Sequence, residues 1–161
     1  MSSGKRLRPF LVLKTSELFG VEKERALRVA ASIEMVHAYS LVHDDLPSMD
    51  NDELRRGKPT THKKFNEAVA ILTGDSLLTL SFEILSDTLT HSDANIRCEL
   101  ILELAKAAGA LGMVGGQMMD LQAENKNLNI GVVTRIQRLK TGALISFACI
   151  SGAILGRAEK K

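Results

Sequence analysis

At 161 residues with 45% hydrophobic side chains, the chain is long and apolar enough for one domain, residues 1–161, with a sizeable core. Aromatics at 4%, three prolines and no tryptophan suit packed helices better than a β-sandwich. A net charge of +2 is too small for a general nucleic-acid binder, so no nucleic acid is expected as a partner.

In chain order, Gly4 opens into a basic run of Lys5, Arg6 and Arg8. Residues 8–18 carry Leu11, Val12, Leu13 and Leu18 and stop at Gly20, which reads as a first helix. Residues 23–45 read as a second, through Leu27, Ala30, Ala31, Val36, Leu41 and Val42; Pro47 ends it because it has no N–H to donate. A long amphipathic segment follows over 64–89. Asp93 reads as the N-cap of a helix over 94–111. A further helix spans 113–124, residues 125–131 form a loop, and 132–156 is the last helix.

Two-residue alternation is missing, so no strands are expected. The fold class is all-α, an antiparallel helix bundle joined by short turns. The longest uncharged run, 141–156, is shorter than the ~20 residues of a membrane span, so no span is expected. Its small residues would let another helix approach closely. Cys98 and Cys149 read as buried thiols of a reducing, cytoplasmic compartment, and residues 1–9 lack a secretory h-region. No helix precedes Gly4, and the chain stops at Lys160-Lys161 after a strongly apolar helix. The bundle is therefore expected to be incomplete at both ends, or completed by a partner.

The chemistry concentrates in Asp44-Asp45-Leu46-Pro47-Ser48-Met49-Asp50 and the following Asn51-Asp52-Glu53-Leu54-Arg55-Arg56-Gly57. Mg²⁺ prefers one or two carboxylates together with substrate phosphates. Guanidinium groups grip phosphate with a planar fork of donors. On a helix, His37 and Asp44 share a face. Asp44 and Asp50 are six residues apart, which fits no regular helix; a bulged turn at Pro47 would bring Asp50 back under Asp44. The expected ligand is a diphosphate carried on magnesium. His43 reads as a packing group, Asp75 as a solvent-facing or hydrogen-bonded structural acid, and Met113, Met118 and Met119 as core.

With these residues the sequence resembles the trans-isoprenyl diphosphate synthases, the farnesyl and geranylgeranyl diphosphate synthase family. Asp44 to Gly57 matches its first aspartate-rich motif with the trailing RRG. The segments from Gly4 to Pro9, His37 to His43, Gly57 to His62, Gly74-Asp75, Gly115 to Asp120 and Lys140 to Gly142 match further landmarks in the right order. The resemblance implies an isoprenoid synthase helix bundle and a Mg²⁺-dependent prenyltransferase. Such an enzyme joins an allylic diphosphate, dimethylallyl or geranyl, to isopentenyl diphosphate.

By position, the resemblance assigns Mg²⁺ to Asp44 and Asp50, with Asp45 nearby. It assigns the allylic diphosphate to Arg55, Lys140 and Thr141. Lys5, Arg8, His37 and Arg56 would take the isopentenyl diphosphate, and Gln117 and Asp120 would line the same cavity. Tyr39, five residues before Asp44, would limit product length, and Pro47-Ser48 match the insertion of short-product bacterial enzymes. A C15 product, farnesyl diphosphate, is expected, and a homodimer. The alternatives are a geranylgeranyl diphosphate synthase and a non-catalytic diphosphate-binding subunit or fragment. Asn51 stands where many relatives carry Asp, and no second DDxxD follows residue 120.

Overall fold

The computed structural model describes residues 4–124 and 126–159. Helix α1 spans Leu7–Leu18 and α2 spans Lys23–Asp44. A small hairpin follows, β1 (Leu54–Arg55) and β2 (Lys58–Pro59), then α3 (Thr61–Lys64) and α4 (Glu67–Ser86). The chain continues through α5 (Ala94–Ala108), α6 (Met113–Ala123) and α7 (Ile130–Gln137). A π-helical turn, Arg138–Gly142, joins α7 to α8 (Ala143–Leu155). The all-α bundle expected from composition is present. Asn125 and Lys160-Lys161 lie outside the described residues, so the start of the expected loop and the chain's final two residues have no structural account.

α2 is the central helix. It packs along α4 and α1, while α8 packs on α1 and α5. Val29, Ile33 and Val36 of α2 are fully buried with Val12, Leu85, Leu100, Leu104, Leu144 and Phe147. Truncating a buried leucine such as Leu100 to alanine costs about 2–5 kcal/mol in cores of this kind. A polar link crosses the core between α2 and α4: the Ser32 hydroxyl donates to the Ser81 carbonyl at 2.8 Å. The expected close helix contact occurs at Gly152, where a Cβ would overlap the backbone of Thr15 and Ser16 in α1.

Side-chain caps set the starts of α4, α5 and α7. Asp93 accepts from the Asn95 amide at 2.9 Å, as expected. Asn129 accepts from Val132 at 3.0 Å, which starts the last helix at Ile130 rather than 132. Asn66 accepts from Val69 at 2.8 Å and starts the helix expected over 64–89 at Glu67; that helix ends at Ser86.

Two expectations are corrected. Strands do occur: Leu54 pairs with Pro59 and Arg55 with Lys58 across the two-residue turn Arg56-Gly57. Both turn residues have positive φ, 53° and 75°, the backbone of a type I′ hairpin turn. Each strand is two residues long, too short for alternation to register in the sequence. Cys98 and Cys149 are exposed free thiols, because each falls on the outer face of its helix. Separately, Glu67–Ser86 and Ile130–Leu155 are long and apolar enough to cross a membrane by length and composition, a test that the core helix of a bundle also passes. Counting uncharged runs missed them. The second continues as one 26-residue helix through its π turn, and hydropathy averages over the charges it carries.

Candidate active site

The acidic bend is built by local hydrogen bonds where α2 ends. Met49 donates its amide to the Leu46 carbonyl at 2.9 Å, Asn51 to Leu46 at 3.1 Å, and Asp50 to the Asp44 carbonyl at 2.9 Å. That last bond, from the second acid back to the first, is the bulged turn the spacing required. Asn51 takes φ 52°, a left-handed conformation that asparagine tolerates better than most residues.

Asp44 is half-buried and Asp50 exposed. Burial pushes the Asp44 carboxyl up to about 6; Lys140 and Arg55 oppose the shift, while Asp50 and Asp45 add to it. Asp45 faces elsewhere. It is 3% exposed, and one of its oxygens receives Arg55 Nε at 2.7 Å and Nη2 at 2.5 Å. Arg55 also lies 3.8 Å from Asp52. Asp45 thus positions Arg55, and neither side chain lines a cavity around Asp44.

Beside Asp44 lies an apolar cavity of about 390 Å³ between α2, α6 and the π turn. Tyr39, Met49, Met113 and Leu121 form apolar wall; Arg8, His37, Gln117, Lys140 and Thr141 supply polar groups. Tyr39 is 8% exposed, and burial raises its hydroxyl above the ordinary range, with Asp44 adding to the shift. Gln117 Oε1 is buried without a hydrogen-bond partner among the described residues. Lys140 donates to Asp120 at 2.6 Å while its charge reaches Asp44. The π turn that carries Lys140 sits against α6 at Gly116, where a Cβ would lie 2.6 Å from the Lys140 Cα. Such π segments recur at functional sites.

A second cavity, about 450 Å³, adjoins the first and shares Arg8 and His37 with it. Gly4, Lys5, Arg6, Glu34 and Arg56 complete its wall. Burial lowers the Arg8 guanidinium below its ordinary range, and its Nε has no hydrogen-bond partner among the described residues. Burial, then Arg8, Arg56 and Arg55, push the His37 imidazole down to about 4, against the pull of Glu34. Arg6 is ion-paired to Glu34. This cavity is therefore a concentrated, under-neutralised positive region.

The structure brings Lys5, Arg8, His37 and Arg56 together, and it brings Asp44, Gln117, Lys140, Thr141 and Tyr39 together. Asp45 and Arg55 line neither cavity, but their charges reach Asp44, and that of Arg55 also reaches His37. Sequence reasoning missed Glu34, although it lies three residues before His37 on the same helical face. It also missed the Asp45–Arg55 pair, which depends on the hairpin. Met113 is core as expected, but Met118 is 55% exposed at the apolar cavity. Asp75 is exposed, and His43 packs against α4, both as expected.

No cluster of three or more His, Cys, Asp or Glu able to hold a metal occurs among the described residues. The donor set still fits magnesium, because that ion completes its shell with water and substrate phosphate when only one or two carboxylates are offered. Asp44 and Asp50 are hard oxygen donors close enough to feel each other's charge.

The polyprenyl synthetase family model matches residues 1–161. The chain is 48% identical over 161 residues to the farnesyl diphosphate synthase of Geobacillus stearothermophilus, covering 99% of this chain and 54% of that protein. It is 54% identical over 152 residues to the farnesyl diphosphate synthase of Escherichia coli, covering 94% of this chain and 51% of that one. Among solved structures, an FPP/GFPP synthase from Zymomonas mobilis superposes with a TM-score of 0.95 at 55% identity, covering 99% of this chain and 58% of the other. The chain thus spans about half the length of the curated relatives it matches.

Proposed function

Because the chain belongs to the polyprenyl synthetase family, we propose that its site binds two prenyl-pathway diphosphates side by side for head-to-tail condensation. The observation that carries this reading is the pair of adjoining cavities that share Arg8 and His37. One is apolar with Asp44 and Lys140 at its wall, and the other is lined by cations.

The apolar cavity takes the hydrocarbon of an allylic diphosphate, dimethylallyl or geranyl. Asp44 and Asp50 would hold magnesium, which when bound would supply charge neutralisation of the leaving diphosphate. Lys140 and Thr141 add donors from the π turn, and Arg55 is the further candidate donor, carried by Asp45 on the hairpin. The cationic cavity takes the diphosphate of isopentenyl diphosphate through Lys5, Arg8 and Arg56, with neutral His37 as a hydrogen-bonding group.

In this reaction the allylic C–O bond breaks and its electron pair leaves on diphosphate. The isopentenyl double bond then forms the new C–C bond to the allylic carbon, and a proton departs to the released diphosphate. Proximity of two fixed diphosphates supplies the orientation, and the preorganised cations stabilise the charge that develops. Tyr39 in the cavity wall supports a short product, farnesyl diphosphate, over the geranylgeranyl alternative.

The same reading places a homodimer in the cytoplasm, supported by the exposed apolar Ile71, Leu72 and Leu80 of α4. It treats both long apolar helices as bundle helices rather than membrane spans, supported by the Lys140–Asp120 ion pair inside the second. Binding without turnover is the second reading, supported by the acids lying on a single bend with Asp120 already paired to Lys140. Incubating the chain with isopentenyl and geranyl diphosphates and Mg²⁺ separates the two. Farnesyl diphosphate by chromatography supports condensation; tight binding with no product supports the second reading; neither binding nor product rejects both.

A further inference from the structure

Tyr39 does not stand alone in the apolar cavity. On α2 the next residue of the same face is His43, four positions on and immediately before Asp44; both line the cavity. Their rings meet edge-on, with centroids 5.8 Å apart and planes at 77°. The far side of the His43 ring is seated on α4, where Nε2 lies 3.0 Å from the Ile71 carbonyl. A carbonyl only accepts, so Nε2 carries the proton. Gly74 makes the seat: a Cβ there would overlap Nε2, Cδ2 and Cε1 of the imidazole. The ring therefore fills the notch left by the missing side chain.

We infer that His43, seated in the Gly74 notch, is a positioning residue that fixes Tyr39 and so sets how long a prenyl chain the apolar cavity accepts. The inference rests on the reading of this cavity as an allylic diphosphate site. A chain entering from the Asp44 end passes His43 before it reaches Tyr39, about one helical turn deeper. Tyr39 is held on one side by the imidazole. With that ring removed, Tyr39 loses a wall and the cavity lengthens. A methyl group placed in the notch acts in the opposite sense: it lifts the imidazole off α4 and into the cavity, which shortens it. The mobile partner is a side chain rather than backbone, so the shift can occur without unfolding α4.

The test is calorimetric binding of non-ionising thiolodiphosphate analogues of geranyl and farnesyl diphosphate with Mg²⁺, using the full chain. In His43→Ala the farnesyl-over-geranyl affinity ratio rises by about tenfold, the scale set by one methylene-sized change in an apolar pocket. In Gly74→Ala the ratio falls by about the same factor. A merely structural role would weaken both analogues together and leave the ratio fixed. Wild-type binding with an unchanged ratio in both variants overturns the inference alone. Absence of binding of either analogue to the wild type overturns the site reading and the inference with it. Should Gly74→Ala fail to fold, the ratio in His43→Ala decides.

Discussion

The acidic bend draws its charges from one short segment, whereas the cationic cavity collects its charges from four: the residues before α1, the first turn of α1, α2 and the hairpin turn. The bend is closed by backbone hydrogen bonds within residues 44–51 and needs no distant partner. The cavity exists only because tertiary packing brings Lys5, Arg8, His37 and Arg56 together. Two of its arginines, Arg6 and Arg56, are held at φ 50° and 53°, a conformation that costs side-chain-bearing residues about 1 kcal/mol or more. Both regions are electrostatically frustrated, with opposite sign. Asp44 is pushed up to about 6, and His37 down to about 4. A magnesium diphosphate beside the first, and a bare diphosphate in the second, would relieve each.

That contrast can be broken from the cationic side. Lys5 and Arg56 line only the cationic cavity. Lys5→Ala with Arg56→Ala is expected to weaken isopentenyl diphosphate binding by on the order of a hundredfold, as two charge-assisted contacts are lost. Magnesium-linked binding of a geranyl analogue should be preserved. Calorimetry on both ligands checks this; equal losses would mean that the two cavities are not separate sites.

The acidic side is sharpened by pH. Protons compete with magnesium for Asp44, so affinity for the magnesium diphosphate should be flat above about pH 6. Below that break it should fall by about tenfold per unit. Asp50 raises the Asp44 carboxyl and Lys140 lowers it. Asp50→Asn should therefore move the break down, and Lys140→Gln should move it up. A smaller effect is expected where the two regions are joined. Asp45→Asn loosens Arg55 without touching either cavity and should cost about fivefold in allylic analogue affinity, near 1 kcal/mol. An effect as large as that of Asp44→Asn would place Asp45 in the metal site.

What the sequence disclosed follows the same division. The bend was legible because its cause is local: Pro47 cannot continue α2, and six residues must then fold back. Helix caps at Asp93 and the small residues of α8 were legible for the same reason. The hairpin was not, because two-residue strands carry no periodicity. Nor was the capture of Asp45 by Arg55, since the neighbouring acids Asp44 and Asp45 look equivalent until one is buried. Resemblance supplied the grouping of Lys5, Arg8, His37 and Arg56, which no spacing rule connects. The exposure of Cys98 and Cys149 depended on which helical face the bundle covers.

The central claim is that the bend between Asp44 and Asp50 captures diphosphate through magnesium. Titrating the chain with geranyl thiolodiphosphate, with and without Mg²⁺, tests it most directly when Asp44→Ala/Asp50→Ala is run alongside. The account predicts that magnesium tightens binding to the wild type by on the order of a hundredfold and does nothing for the double variant. Equal magnesium enhancement in both proteins, or none in the wild type, would contradict it.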